Sequence, residues 1–221
     1  MHIEPGVVTG AKLILSYATA ATAGVFTLKM AYTAMRQQGL GSLVLRSLIA
    51  TVLVFTFFEI LPHYPVGVSE VHLILGSTLF LILGAAPAAI GLALGLLVQG
   101  VFFAQFDLPQ YGMNVTTLLV PLFGLQYLAK RVIAPGTAYV DLKYTQALAL
   151  STAYQGGIVG WVAFWALYGQ GFAEIGQVMT FGVAYMSVIL LEPLIDLAVL
   201  GVAKRLHALK GTGWVTPRLF A

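Results

Sequence analysis

The sequence predicts an all-α, polytopic integral membrane protein of about seven transmembrane helices. Three observations carry that prediction. The 221 residues are 59% hydrophobic and only 9% charged, with a mean hydropathy of +0.92, whereas soluble domains carry about 25% charged residues. Apolar segments long enough to cross a bilayer, about 20 residues, follow one another along the chain. The basic residues fall in alternate connections between them.

The segments are 11–35, 40–61, 71–84, 87–104, 114–131, 145–168 and 178–203. The third is short, and Pro87 follows it soon after. Gly84-Ala85-Ala86-Pro87 reads either as a tight turn between two short helices or as a kink in one long helix, since Pro removes a backbone bond and clashes with the preceding turn. Seven spans is the expectation and six the alternative.

Basic residues discriminate between the two. With the amino terminus outside, seven spans place Lys29, Arg36, Arg46, Lys130, Arg131, Lys143, Lys204, Arg205, Lys210 and Arg218 on the cytoplasmic side and leave only Lys12 outside. This is the asymmetry that sets topology. The expected carboxyl terminus is cytoplasmic, and residues 1–221 are expected to form one transmembrane domain that includes an amino-terminal segment, 1–10.

The same composition excludes several classes. There is no cysteine, so neither disulfides nor thiolate metal sites arise. The net charge of +3 reflects topology, and no basic stripe suited to nucleic acid is present. No G-x-x-x-x-G-K-[ST] loop or H-E-x-x-H helix occurs. A cleavable signal peptide needs a basic start, and MHIEPGVVTG has no basic residue before Lys12. The bulky His2 also favours retention of Met1.

Small residues recur four apart in Ala18-Thr19-Ala20-Ala21-Thr22-Ala23-Gly24 and in Gly91-Leu92-Ala93-Leu94-Gly95. They allow close helix approach, either within the chain or against a membrane partner. Among acids, Glu59, Glu192 and Asp196 form no convincing proton relay. Glu192 and Asp196, four apart in the last segment, can share a helix face, with Pro193 as a kink point; they read as structural or partner-contacting.

Met1-His2 is the sharpest chemical feature. A free terminal amine, the His2 amide nitrogen and the His2 imidazole can close fused chelate rings on a late first-row divalent metal, and square-planar nitrogen sites suit nickel or copper. His72, in Val68-Ser69-Glu70-Val71-His72-Leu73, is the natural fourth donor, because an ionisable residue entering an apolar segment marks a functional site. Ser69 and Glu70 are placed to orient its imidazole. His63, in Leu61-Pro62-His63-Tyr64-Pro65, reads as an interfacial loop residue and a possible additional ligand.

MHIEPG, SEVHLILG around residue 72 and YGMN at 111–114 resemble the nickel/cobalt energy-coupling-factor transporter permeases of the CbiM/NikM family. The resemblance extends over most of the chain. It implies an amino-terminal segment threaded toward the protein centre, and a metal held by the Met1 amine, the His2 amide and imidazole, and His72. It also implies an Asn-bearing loop, matched by Gly112-Met113-Asn114, that supports the site. The chain departs from the family pattern at Glu4-Pro5-Gly6, where the usual acidic-Gly pair is interrupted, and in lacking a second Asn at 115–117.

The expected function is therefore a substrate-specific subunit in the prokaryotic plasma membrane. It captures Ni2+ or Co2+ as cargo and works with a transmembrane coupling protein and ATP-binding cassette ATPases. It is not itself an enzyme. The alternative is an ATPase-independent secondary transporter or channel for a small solute.

Overall fold

The computed structural model describes residues 2–208; Met1, Lys210 and Arg218 lie outside the described residues. Seven α-helices form the bundle: α1 (Leu13–Gln38), α2 (Leu40–Phe55), α3 (Gly76–Leu83), α4 (Ala85–Phe102), α5 (Tyr111–Val132), α6 (Tyr144–Gln170) and α7 (Ile175–Ala208). All but α3 are long and apolar enough to cross a membrane. The chain is a multi-pass membrane protein.

Small residues fix the tightest seam as internal packing. A Cβ added at Gly91 of α4 would sit 2.3 Å from Ala50 Cβ of α2, and one at Gly95 would meet Val54 at 2.6 Å. The α1 cluster differs: Ala18, Ala21 and Thr22 remain exposed.

The third apolar segment is not a spanning helix. It is preceded by a hairpin of two short antiparallel strands, β1 (Tyr64–Val66) and β2 (Ser69–Val71), which ends at its first residue. Gly67 makes the turn at φ +63 and lies so close to the Gln177 carbonyl that a Cβ would fall 2.4 Å from it. The chain then runs without regular structure to α3, whose eight residues span only about 12 Å.

Geometry explains the extended path. Gly67 lies beside Gln177 near the start of α7, while the Ile74 N–H meets the Glu192 carboxylate near its middle. Fifteen residues of α7, from 177 to 192, cover about 22 Å. The seven residues from 67 to 74 cover that distance only if extended, about 23 Å. A helix there would fall short by more than half. His72 therefore lies in extended chain, contrary to its expected place in a helix.

The segment ends at the basic pole of the bundle, where Arg46 Nη1 donates to the Leu83 carbonyl at 2.8 Å. Residues 69–83 thus make one composite traverse between the ends of six long helices. The break at 84–87 is a turn at Gly84, with φ +94, and Pro87 lies in the first turn of α4, where its missing N–H costs nothing. Pro193 does not interrupt α7.

Candidate metal centre

The amino-terminal segment is buried inside the bundle. His2, Ile3, Val7 and Val8 are all buried. Residues 2–4 lie antiparallel to the chain around β2 through the Ile3–Ser69 bridge. Glu70 N–H donates to the His2 carbonyl at 2.9 Å, and Glu4 N–H to the Val68 carbonyl at 3.1 Å. Ser69 Oγ donates to the same His2 carbonyl at 2.8 Å. On the other flank the Ile3 N–H donates to Asn114 Oδ1 at 2.8 Å. Asn114 is not in a loop: it occupies the first turn of α5, a helix that provides a rigid anchor.

These contacts bring His2, Glu70 and His72 together, with one donor atom from each within 4.8 Å of the others. The two imidazole rings are 5.7 Å apart, centre to centre. His2 Nδ1 faces Glu70 Oε2 at 2.5 Å. An ionised carboxylate only accepts hydrogen bonds, so the neutral imidazole carries its proton on Nδ1 and its lone pair on Nε2. That Nε2 is buried without a hydrogen-bond partner among the described residues.

Electrostatics keep the imidazole neutral. Burial lowers the His2 pKa below its ordinary 6.5, with the amino-terminal charge acting in the same direction and outweighing the opposing Glu70 interaction. For Glu70, burial pushes upward, but the hydrogen bond and charge interaction with His2 prevail and the net direction is down. A neutral imidazole beside a carboxylate is a suitable pair of donors for a divalent cation.

Two features were not evident in the sequence. The end of α2 widens into a π-helical turn, Thr56–Ile60, closed by Leu61 N–H to the Thr56 carbonyl. Its Phe58 is fully buried and stands edge-on to His72 at 4.6 Å and to His2 at 6.3 Å, so an apolar ring walls the donor group. A hydrophobic residue in a hydrophobic run carries no distinguishing sequence signal. The second feature is the anchorage of the strand that bears His72. Glu192 accepts from Ile74 N–H and from Gln155 Nε2, while Tyr185 donates to Gln155 Oε1 at 2.6 Å. Four residues on, Asp196 accepts from Ser77 Oγ at 2.5 Å and from Thr78. The two acids thus share the expected face, and they secure the amino-terminal end of α3, where partial positive charge favours carboxylates. Leu75 just before it adopts φ +53, a left-handed conformation that a branched side chain accepts only under surrounding constraint.

His63 lies outside the three-residue donor group; its Nδ1 contacts the Leu61 carbonyl at 3.2 Å.

A helical membrane bundle with a buried imidazole–carboxylate group has donors of the kind that can hold a small cation inside the fold. Comparison with known proteins narrows that reading. Residues 2–208 match the CbiM family, described as the cobalt uptake substrate-specific transmembrane region, and the chain belongs to that family. It is a membrane component of a metal transporter and not an enzyme. Over 147 residues it is 26% identical to a Haemophilus influenzae protein whose name refers to metal transport, covering 66% of this chain and 69% of that one. Two solved structures share the fold. One, of a transition metal transporter, has a TM-score of 0.69 at 19% identity and covers 93% of each chain. The other, of a truncated transition metal transporter, has a TM-score of 0.64 at 16% identity, covering 92% of this chain and 96% of that one.

Proposed function

We propose that this chain is the substrate-capturing subunit of a nickel or cobalt importer. It takes the divalent ion from the extracytoplasmic side and depends on a coupling protein and separate ATPases for uphill movement. The observation that carries the reading is the placement of His2, deep in the bundle beside His72 and Glu70. A histidine buried beside a second histidine and a carboxylate has little reason to be there unless those donors hold a ligand.

The proposed ligands are the Met1 amine, the His2 amide nitrogen and imidazole, and His72. Asn114 and Ser69 hold the backbone that carries His2. Fused chelate rings close through the imidazole nitrogen nearest the backbone, Nδ1, which here faces Glu70. Capture therefore needs the ring proton to leave Nδ1, for Nε2 or for solvent, as the metal replaces the Glu70 bond. Glu70 is left beside the ion as a compensating charge, which offsets part of the desolvation of a dication. Nitrogen donors of this kind suit late first-row divalent ions. The gathering of Lys and Arg toward one pole supports an orientation with the amino terminus outside and the carboxyl terminus inside.

Uptake in proteoliposomes tests the transport reading. With a coupling protein, ATPases and ATP inside, radiolabelled Ni2+ or Co2+ accumulates above its equilibrium level. Accumulation by the chain alone, without ATP, would favour an independent secondary transporter.

A further inference from the structure

At the pole opposite the amino-terminal segment, α1 separates from α2, α4 and α5 and leaves a cleft of about 490 Å³. Ligand sites of small molecules occupy the same range of volume. Three cations from three helices line it: Lys29 of α1, Arg46 of α2 and Lys130 of α5. Among the described residues no Asp or Glu lines it. Among the described residues none of the three is ion-paired; the ion pair found is His2–Glu70, at the far pole.

One of the cations is fixed in place. Arg46 donates to the Leu83 carbonyl at 2.8 Å, to the Ser42 carbonyl at 3.3 Å and to Gln38 Oε1. The two lysines are exposed and free to adjust. The rest of the lining mixes polar Thr33, Gln37, Gln38 and Gln126 with apolar Phe26, Met30 and Pro87. A second cleft of about 370 Å³ shares Gly84, Ala85, Gln126 and Lys130 with the first and continues along Phe80, Leu81 and Ile133. The side of α1 nearby is lipid-facing, with Leu28 exposed by 70%.

Like charges gathered without a counter-charge call for an anion. An anion held by these cations that also fills the mainly apolar second cleft has both a phosphate and a hydrocarbon part. Basic pockets between transmembrane helices recognise such headgroups. We infer that the Lys29–Arg46–Lys130 cleft binds the phosphate headgroup of an anionic membrane lipid. Arg46 provides the ordered contact, Lys29 and Lys130 close over the phosphate, and an acyl chain follows the second cleft. A protein partner would need only a carboxylate there and would leave the apolar extension empty.

The test uses the full chain in neutral detergent, titrated separately with phosphatidylglycerol, phosphatidylcholine and inorganic phosphate, with bound ligand counted by native mass spectrometry. The expected result is one phosphatidylglycerol retained, without matching retention of phosphatidylcholine or free phosphate. Lys29→Gln/Lys130→Gln should raise the apparent Kd for phosphatidylglycerol about 30-fold. Arg36→Gln/Arg205→Gln removes equal charge outside the cleft lining and should leave the Kd within about threefold. Equal binding of phosphatidylcholine would overturn the proposal, as would equal binding of free phosphate or equal weakening in both double variants. If the Lys29/Lys130 variant keeps its lipid but no longer copurifies with a coupling protein, the cleft belongs to a protein partner and the lipid assignment fails.

Discussion

The Ile3 backbone N–H donates to the Asn114 side-chain carbonyl at 2.8 Å, across 111 residues of sequence. Through this bond the first turn of α5 holds the strand on which His2 is carried, while Ser69 and Glu70 hold its other edge. The position of the His2 imidazole is therefore set by distant parts of the chain.

Removing the acceptor strands a buried N–H, which costs about 1–3 kcal/mol. Asn114→Leu should lower Tm and weaken metal binding about 10–100-fold, the usual penalty for losing a residue that orients a ligand. Asn114→Asp keeps an acceptor and should recover much of the affinity. Isothermal titration of the two variants checks this; equal losses in both would show that the amide does more than accept from Ile3.

His72→Ala should abolish tight metal binding while the protein still inserts and purifies, since its removal leaves the anchors of the strand, Ile74 and Ser77, in place. His63→Ala should cost less than about tenfold, because His63 lies outside the donor group. Comparable losses from both variants, read as Ni2+ and Co2+ affinity by chelator competition, would mean a larger site than the one described.

Acidification should loosen the amino-terminal segment before any metal is added. His2 is held neutral below its ordinary 6.5, so below that pH the unfolded chain takes up a proton that the folded chain resists, and stability falls. Glu70 adds a second loss lower down: its pKa is lowered from 4.5, so the unfolded carboxyl protonates first as the pH falls through that value. The Tm of metal-free protein should drop from about pH 7 to pH 5 and further below about pH 4.5. His2→Gln should flatten the upper part of the profile, and a His2→Gln profile identical to that of the parent would assign it to other groups.

The α2–α4 seam should be separable from the metal centre. Gly91→Val drives a side chain into Ala50 and should destabilise the fold by about 1–3 kcal/mol. Metal affinity of the folded fraction should not change. A thermal melt paired with a metal titration reads both, and a selective loss of affinity would contradict the separation.

Much of the fold was legible because spanning helices have a coarse signal. Length, apolarity and the alternation of Lys and Arg located α1, α2 and α4 to α7 without any knowledge of packing. The segment 71–84 was legible as short and odd but was expected to be helical, because an apolar run looks the same whether it is coiled or pulled straight by contacts at 177 and 192. Asn114 was expected in a loop because the family resemblance implies one, yet α5 begins at Tyr111 and Gly112 serves close packing against Ser16. Of the polar residues, His72 stood out because an ionisable group is expensive in an apolar segment, His2 because it follows Met1, Ser69 and Glu70 as neighbours of His72, and Asn114 through the family resemblance. Phe58 and the Glu192–Gln155–Tyr185 anchor did not, since their meaning lies in tertiary contacts that spacing does not encode.

The central claim is that the metal is chelated by the chain's own first two residues, and one insertion tests it most directly. Placing Ala between Met1 and His2 enlarges the chelate ring and separates the terminal amine from the imidazole, while the six long helices and their seams are unchanged. Metal content is measured by elemental analysis of purified protein carrying its tag at the carboxyl end, beside the parent prepared identically. The account predicts one Ni2+ or Co2+ per chain in the parent and a near-complete loss in the insertion variant at unchanged yield. Full stoichiometric metal in the insertion variant would contradict it, and would leave His2, Glu70 and His72 side chains as the donors without the amine.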